Sequence, residues 1–140
     1  MEWIREDLQI ATHGKGLYPF TDQIQAVLRK HSVKNGLCIL FIPHTSASLL
    51  INENYDPFVQ TDVGNFLEQL VPEMQPWMKH RMEGSDDSSS HLRSALLPVE
   101  ITIPIDKGRL SLGTWQGVFL AEHRTVAHLR QVEVGIMKMD

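Results

Sequence analysis

The sequence predicts an α+β fold, mainly β, in which two packed sheets carry two or three flanking helices. Three observations support it: about six or seven short segments alternate apolar and polar residues, at least two stretches show helical spacing, and no repeat or transmembrane-length run intervenes. At 140 residues the chain reads as one domain spanning 1–140, long enough to bury roughly 68% of the surface of its unfolded state. Charged residues make up 21% and the net charge is -4, so nucleic acid is not an expected partner, since phosphate binding needs a basic face. With no membrane span and no signal-like N-terminus, a cytoplasmic location is expected. Cys38 stands alone in an apolar run and reads as a small core side chain rather than a reactive thiol.

In chain order, Trp3 to Thr12 alternates as a strand, with Ile4, Leu8 and Ile10 on one face, and Gly14 and Gly16 break it. Thr21 or Asp22 can cap a helix in which Ile24, Val27, Leu28 and His31 share a stripe. After the Asn35-Gly36 turn, Leu37 to Ile42 is apolar on both faces, as a central strand would be. Pro43 ends that run. A strand from His44 to Glu53 would place Thr45, Ala47, Leu49 and Ile51 on one face. His44, Ser46, Ser48 and Asn52 would lie on the other, interrupted by Leu50. A face of short hydroxyls between an imidazole and an amide reads as the wall of a polar pocket.

Asp56-Pro57 is a helix start, followed by Val59, Val63, Phe66, Leu67 and Leu70 along one stripe until Pro72 and Pro76. His80 to Ser90 is polar and by composition could be a disordered linker, but its short length and the helix-like stretch from Leu92 to Leu97 favour an ordered loop, with Asp86 to His91 at the start of a helix. Asp86 to Ser90 there could serve only as caps, or could face a ligand together with His91. Val99, Ile101, Ile103 and Ile105 alternate as a strand, Asp106-Lys107-Gly108 is a hairpin turn, and Leu110 and Leu112 continue it. Trp115 to His123 reads as a covered strand, and Val132, Val134 and Ile136 mark the last one. Gly113-Thr114-Trp115-Gln116 combines close backbone approach, a flat apolar wall and an amide.

Taken together, these motifs resemble the YjbQ-like family of small bacterial and archaeal proteins. The resemblance rests on His44-Thr45-Ser46-Ala47-Ser48 with Asn52-Glu53 and Asp56, on Asp86-Asp87-x-x-Ser90-His91, and on Gly113-Thr114-Trp115-Gln116-Gly117 with Glu122-His123. It covers essentially the whole chain and implies a jelly-roll-like sandwich that assembles as a homotrimer. It also implies a secondary thiamine-phosphate synthase activity, joining a pyrimidine pyrophosphate to a thiazole phosphate.

An enzyme of that kind would hold a divalent metal, zinc or magnesium, for which His44, His91 and His123 are the expected ligands. Glu53 would be general base or acid, with Asn52 and Ser46 orienting it. Ser48, Asp86, Asp87, Ser90, Thr114, Trp115 and Gln116 would bind a small, phosphorylated substrate, with Arg81, Lys107 or Arg109 supplying positive charge. A non-catalytic binding module for a small anionic or heterocyclic ligand would use the same serines, Trp115 and Gln116. A third expectation is that His44 and the serines form a satisfied buried network.

Overall fold

The computed structural model describes residues Met1–Asp140. Its elements run β1 (Glu2–Thr12), β2 (Gly16–Pro19), α1 (Thr21–Lys30), β3 (Gly36–Phe41), β4 (Ala47–Glu53), α2 (Pro57–Leu70), α3 (Asp87–Leu96), β5 (Glu100–Asp106), β6 (Arg109–Leu110), β7 (Gln116–Glu122) and β8 (His128–Lys138). A five-stranded sheet has the order β1-β8-β3-β5-β6, and a three-stranded sheet the order β2-β7-β4, with every pairing antiparallel. The predicted class therefore holds: a mainly β protein of two sheets with three helices. No helix is long and apolar enough to cross a membrane.

Alternation explains the packing. Cys38 and Leu40 of β3, Ile103 and Ile105 of β5, and Val132, Val134 and Ile136 of β8 face the same core as Ala47 and Leu49 of β4 and Val118 and Leu120 of β7. Ile24, Val27 and Leu28 of α1 close one end of that core. The residues between them in β7, Phe119 and Ala121, are buried on the opposite side of the small sheet, so this sheet is covered on both faces. At β5–β6 the predicted hairpin forms, with positive φ at Lys107 (50°) and Gly108 (81°), as a tight two-residue turn needs.

Four local expectations change. Gly16 does not merely end β1: it opens β2, which pairs Leu17 with Ala121 and Tyr18 with Leu120. Neither Thr21 nor Asp22 caps α1; Phe20 sits at the cap, and Thr21 Oγ1 instead accepts the Val118 N–H at 2.9 Å, tying the helix to β7. The third helix begins at Asp87, as the Asp86-to-His91 cluster suggests, so the loop is shorter than His80 to Ser90: Asp87, Ser89 and Ser90 are buried polar residues whose partners lie elsewhere in the chain or in their own first turn. His44 to Ser46 precede β4 rather than belonging to it.

Candidate functional site

Strand β4 separates the predicted site residues into two groups. Ala47 pairs with Glu122 at one end and Glu53 with Gln116 at the other, six steps or about 20 Å apart. His44, Ser46, Ser48, Asp86, Asp87, Ser90, His91 and His123 gather near the first end. Asn52, Glu53, Thr114, Trp115 and Gln116 gather near the second. A single chain therefore does not build one pocket from all of them.

At the second end the polar groups hold turns. Glu53 accepts the backbone N–H groups of Tyr55 and Asp56, at 3.1 Å each through Oε2, and so shapes the β4–α2 turn. Asn52 Oδ1 accepts the Glu53 N–H, and Gln116 Oε1 accepts the Gly113 N–H at 2.8 Å. Trp115 is 57% exposed and meets Tyr55 edge to face with ring centroids 5.0 Å apart. Thr114 is exposed beside it.

At the first end the hydroxyl row is a seam, not a pocket wall. Ser48 is fully buried under α3, where its Oγ lies 2.9 Å from His123 Nε2 and 3.4 Å from Ser94 Oγ. Ser46 faces inward and accepts from Arg130 Nη2 through its Oγ at 3.0 Å. Arg130 in turn forms a two-point ion pair with the buried Glu122, which also accepts from Thr12 Oγ1 at 2.6 Å. Burial pushes the Glu122 carboxyl up, but Arg130, Thr12 and the Arg124 N–H outweigh it and hold it below the usual range. Ser90 Oγ donates to the Asp87 carbonyl within its own helix.

The three expected metal-ligating histidines do not converge. His44 Nε2 accepts the Gln131 N–H at 2.9 Å. His123 is 1% exposed, and burial, with the Arg93 charge, lowers its pKa to about 4, so it is neutral at physiological pH. Only His91 sits where several ligand atoms meet, and its companions are Asp87 and His80: the ligand atoms of these three lie within 4.8 Å of one another. Asp87 Oδ2 is 2.6 Å from His80 Nε2 and 3.0 Å from His91 Nε2.

That cluster has supporting partners. Asp87 and His91 are four residues apart on α3 and so share a face. His91 Nδ1 donates to the Thr45 carbonyl at 2.8 Å, which fixes the ring and turns Nε2 toward Asp87. Arg124 binds Asp87 Oδ1 and, at 3.0 Å, Asp86 Oδ2. Asp86 is thus no helix cap: burial raises its carboxyl, yet the Thr125 N–H and Arg124 bring its pKa to about 2. Asp87 shows the same balance, raised by burial but lowered by His80, His91 and Arg124. His44 and His91 border one shallow depression with Thr45, Ser94, Ala95 and Val99, with a volume of about 480 Å³.

His80 and Arg124 were not among the expected site residues. The Asp87-to-His91 spacing is a readable helical signal, whereas His80 lies in a stretch without periodicity and reaches Asp87 only through the fold. Two sheets with an imidazole–carboxylate cluster at the start of α3 define a class of small β-sandwich proteins with a polar surface site. The chain belongs to the UPF0047 YjbQ-like protein family, whose pattern matches residues 6–139. It is 54% identical over 132 residues to a UPF0047 protein of Synechocystis, covering 94% of this chain and 90% of that one. It is 40% identical over 123 residues to the UPF0047 protein YjbQ of Salmonella typhimurium, covering 87% and 88%. A conserved hypothetical protein of Thermus thermophilus superposes with a TM-score of 0.85 at 37% identity, over 94% of this chain and 99% of that one. A YbjQ-like protein of unknown function from Sulfolobus solfataricus gives 0.86 at 26%, over 99% and 100%.

Proposed function

We propose that this protein is a small metal-dependent enzyme acting on a phosphorylated substrate, with its metal held by His80, Asp87 and His91. The observation that carries the proposal is the meeting of His80 Nε2, Asp87 Oδ2 and His91 Nε2 with the far side of each α3 ligand already engaged, by Arg124 and by the Thr45 carbonyl. Tetrahedral zinc with bonds of roughly 2.0–2.1 Å separates its ligands by about 3.4 Å. Asp87 Oδ2 lies 2.6 Å from His80 Nε2 and 3.0 Å from His91 Nε2, so small outward shifts of both rings meet that spacing. Two imidazoles and one carboxylate suit zinc or a similar transition metal better than magnesium, which prefers oxygen. When bound, such an ion supplies charge neutralisation and Lewis acidity to an oxyanion.

The remaining groups fit that role. The depression bordered by His44 and His91 has the size of a small-molecule site. His44 accepts a backbone N–H at Nε2, so in its neutral form Nδ1 carries the proton and can donate to a substrate. Thiamine-phosphate synthesis, which the family resemblance implies, releases pyrophosphate, a leaving group that a cation at Asp87 would stabilise. Trp115, just before β7 at the far end of the small sheet, is too distant to stack on a substrate held there by the same chain. If it acts as a wall, the homotrimer implied by the resemblance must supply it from a neighbouring copy.

The test is turnover of pyrimidine pyrophosphate and thiazole phosphate by protein stripped with chelator and reloaded with zinc or magnesium. The proposal expects turnover to return with metal, and His91→Ala and Asp87→Asn to lower it more than about a hundredfold, at least the effect of losing a supporting partner. Unchanged turnover in the stripped protein or in both variants would reject it. Tight substrate binding without turnover under any metal would instead identify a binding module.

A further inference from the structure

A second cavity lies on the covered face of the small sheet, between α2, α3 and strands β2 and β7, and neither His80, Asp87 nor His91 lines it. Its volume is about 220 Å³. Leu17, Val63, Leu67 and Ala121 form its apolar wall, and Lys15, Glu68, Arg93 and His123 gather at its polar side. We propose that this cavity is a binding site for a single-ring molecule bearing a carboxylate, the ring lying against the apolar wall and the carboxylate meeting Arg93.

Size sets the first part of that assignment. An apolar cavity of roughly 150 Å³ accommodates benzene, so this one holds one ring with a short substituent. It is too small for a typical drug-sized ligand, whose pockets begin near about 300 Å³.

Gly64 indicates that the space is built in. It lies in the middle of α2, where glycine is the poorest helix former apart from proline. Its φ is not positive, and a Cβ placed there would meet nothing within 4 Å. Neither backbone conformation nor close packing calls for glycine at this position. What it supplies is room at the cavity it lines.

Charge sets the second part. Arg93 is 3% exposed, and its Nε is the one buried side-chain nitrogen or oxygen without a hydrogen-bond partner. Its Nη2 reaches the Val71 carbonyl at 3.1 Å and the half-exposed Glu68 at 3.3 Å. Glu68 is shared with Lys15, which also binds Glu73 from outside the lining, and Glu122 is neutralised by Arg130. The buried guanidinium therefore pairs with one half-exposed carboxylate that it shares with Lys15, its Nε has no partner, and an incoming carboxylate can complete its pairing. His123, neutral and engaged by Ser48 only through Nε2, adds a second polar group to that side.

The inference does not rest on the metal proposal, and the experiment separates them by using chelator-treated, metal-free protein. Benzoate is titrated calorimetrically into the wild type, Gly64→Leu and Arg93→Met, with acetate as the carboxylate without a ring. The wild type should bind one benzoate per chain, at least about tenfold more tightly than acetate. Gly64→Leu should fold with an equal or higher melting temperature and lose benzoate binding. Arg93→Met should weaken benzoate about tenfold or more, the effect of losing a charged hydrogen bond. No benzoate binding by the wild type, or unchanged binding by folded Gly64→Leu, would overturn the inference; the latter decides even if Arg93→Met fails to fold.

Discussion

Buried polar side chains determine what the Ala47–Glu122 end of the small sheet does. Glu122 and Arg130 are both buried and satisfy each other at two points, with Thr12 and Ser46 completing the pair. Removing one partner leaves the other charge without compensation, so Glu122→Gln should destabilise the protein by about 3–5 kcal/mol in urea unfolding. A loss below about 1 kcal/mol would mean that the pair contributes no more than a surface one. His123 gives a pH signature. Its folded pKa of about 4 lies below the unfolded value near 6.5, so the unfolded chain takes up its proton first as pH falls. Stability from this residue is intact above about pH 6.5 and declines toward pH 4, by up to about 3 kcal/mol. His44, also lowered by burial, acts in the same direction. Unfolding measured from pH 7 to 4.5 should show a shallower fall in His123→Gln; parallel curves would remove His123 as a cause.

The elements themselves were legible in proportion to how much of their pattern was local. The Asp56-Pro57 start of α2 forms as expected, with Asp56 Oδ1 accepting the Phe58 N–H at 2.9 Å. Asp56→Ala should therefore cost about 1 kcal/mol in thermal unfolding. Gly36 is a stronger constraint: at φ 152° a Cβ would sit 1.9 Å from the Met137 carbonyl oxygen, where β3 meets β8. Gly36→Ala should cost more than about 2 kcal/mol, or prevent folding, because backbone must move. By contrast, β2 was hidden because four residues flanked by glycine show no period, and its partner β7 lies a hundred residues away. The helix start at Asp86 to His91 was readable, but the burial of Asp87, Ser89 and Ser90 was hidden, because they look like solvated residues until Arg124, His80 and their own first turn satisfy them. The hydroxyl row of β4 is unusual, as its pattern suggests, yet it serves as a seam. Nothing in that strand announces that α3 will cover Ser48.

Across the whole molecule, the family resemblance pointed to groups that meet more often than the strand pattern did. It singled out Asp87 and His91, which lie together, while His80 joins them only through tertiary structure. It also implies three copies, and the exposed Phe58, Phe66, Leu70 and Trp77 on and after α2 give apolar area that an assembly can bury. Sedimentation of the purified protein should return three times the mass of the chain; a monomer at micromolar concentration would remove the neighbouring copy as a source of Trp115. The most direct measurement of the metal centre is anomalous diffraction, at the zinc absorption edge, from crystals of untagged protein loaded with one equivalent of zinc. The account predicts a single strong peak per chain within about 2.2 Å of His80 Nε2, Asp87 Oδ2 and His91 Nε2, absent in His91→Ala. A peak elsewhere, or none between these three atoms, would contradict it.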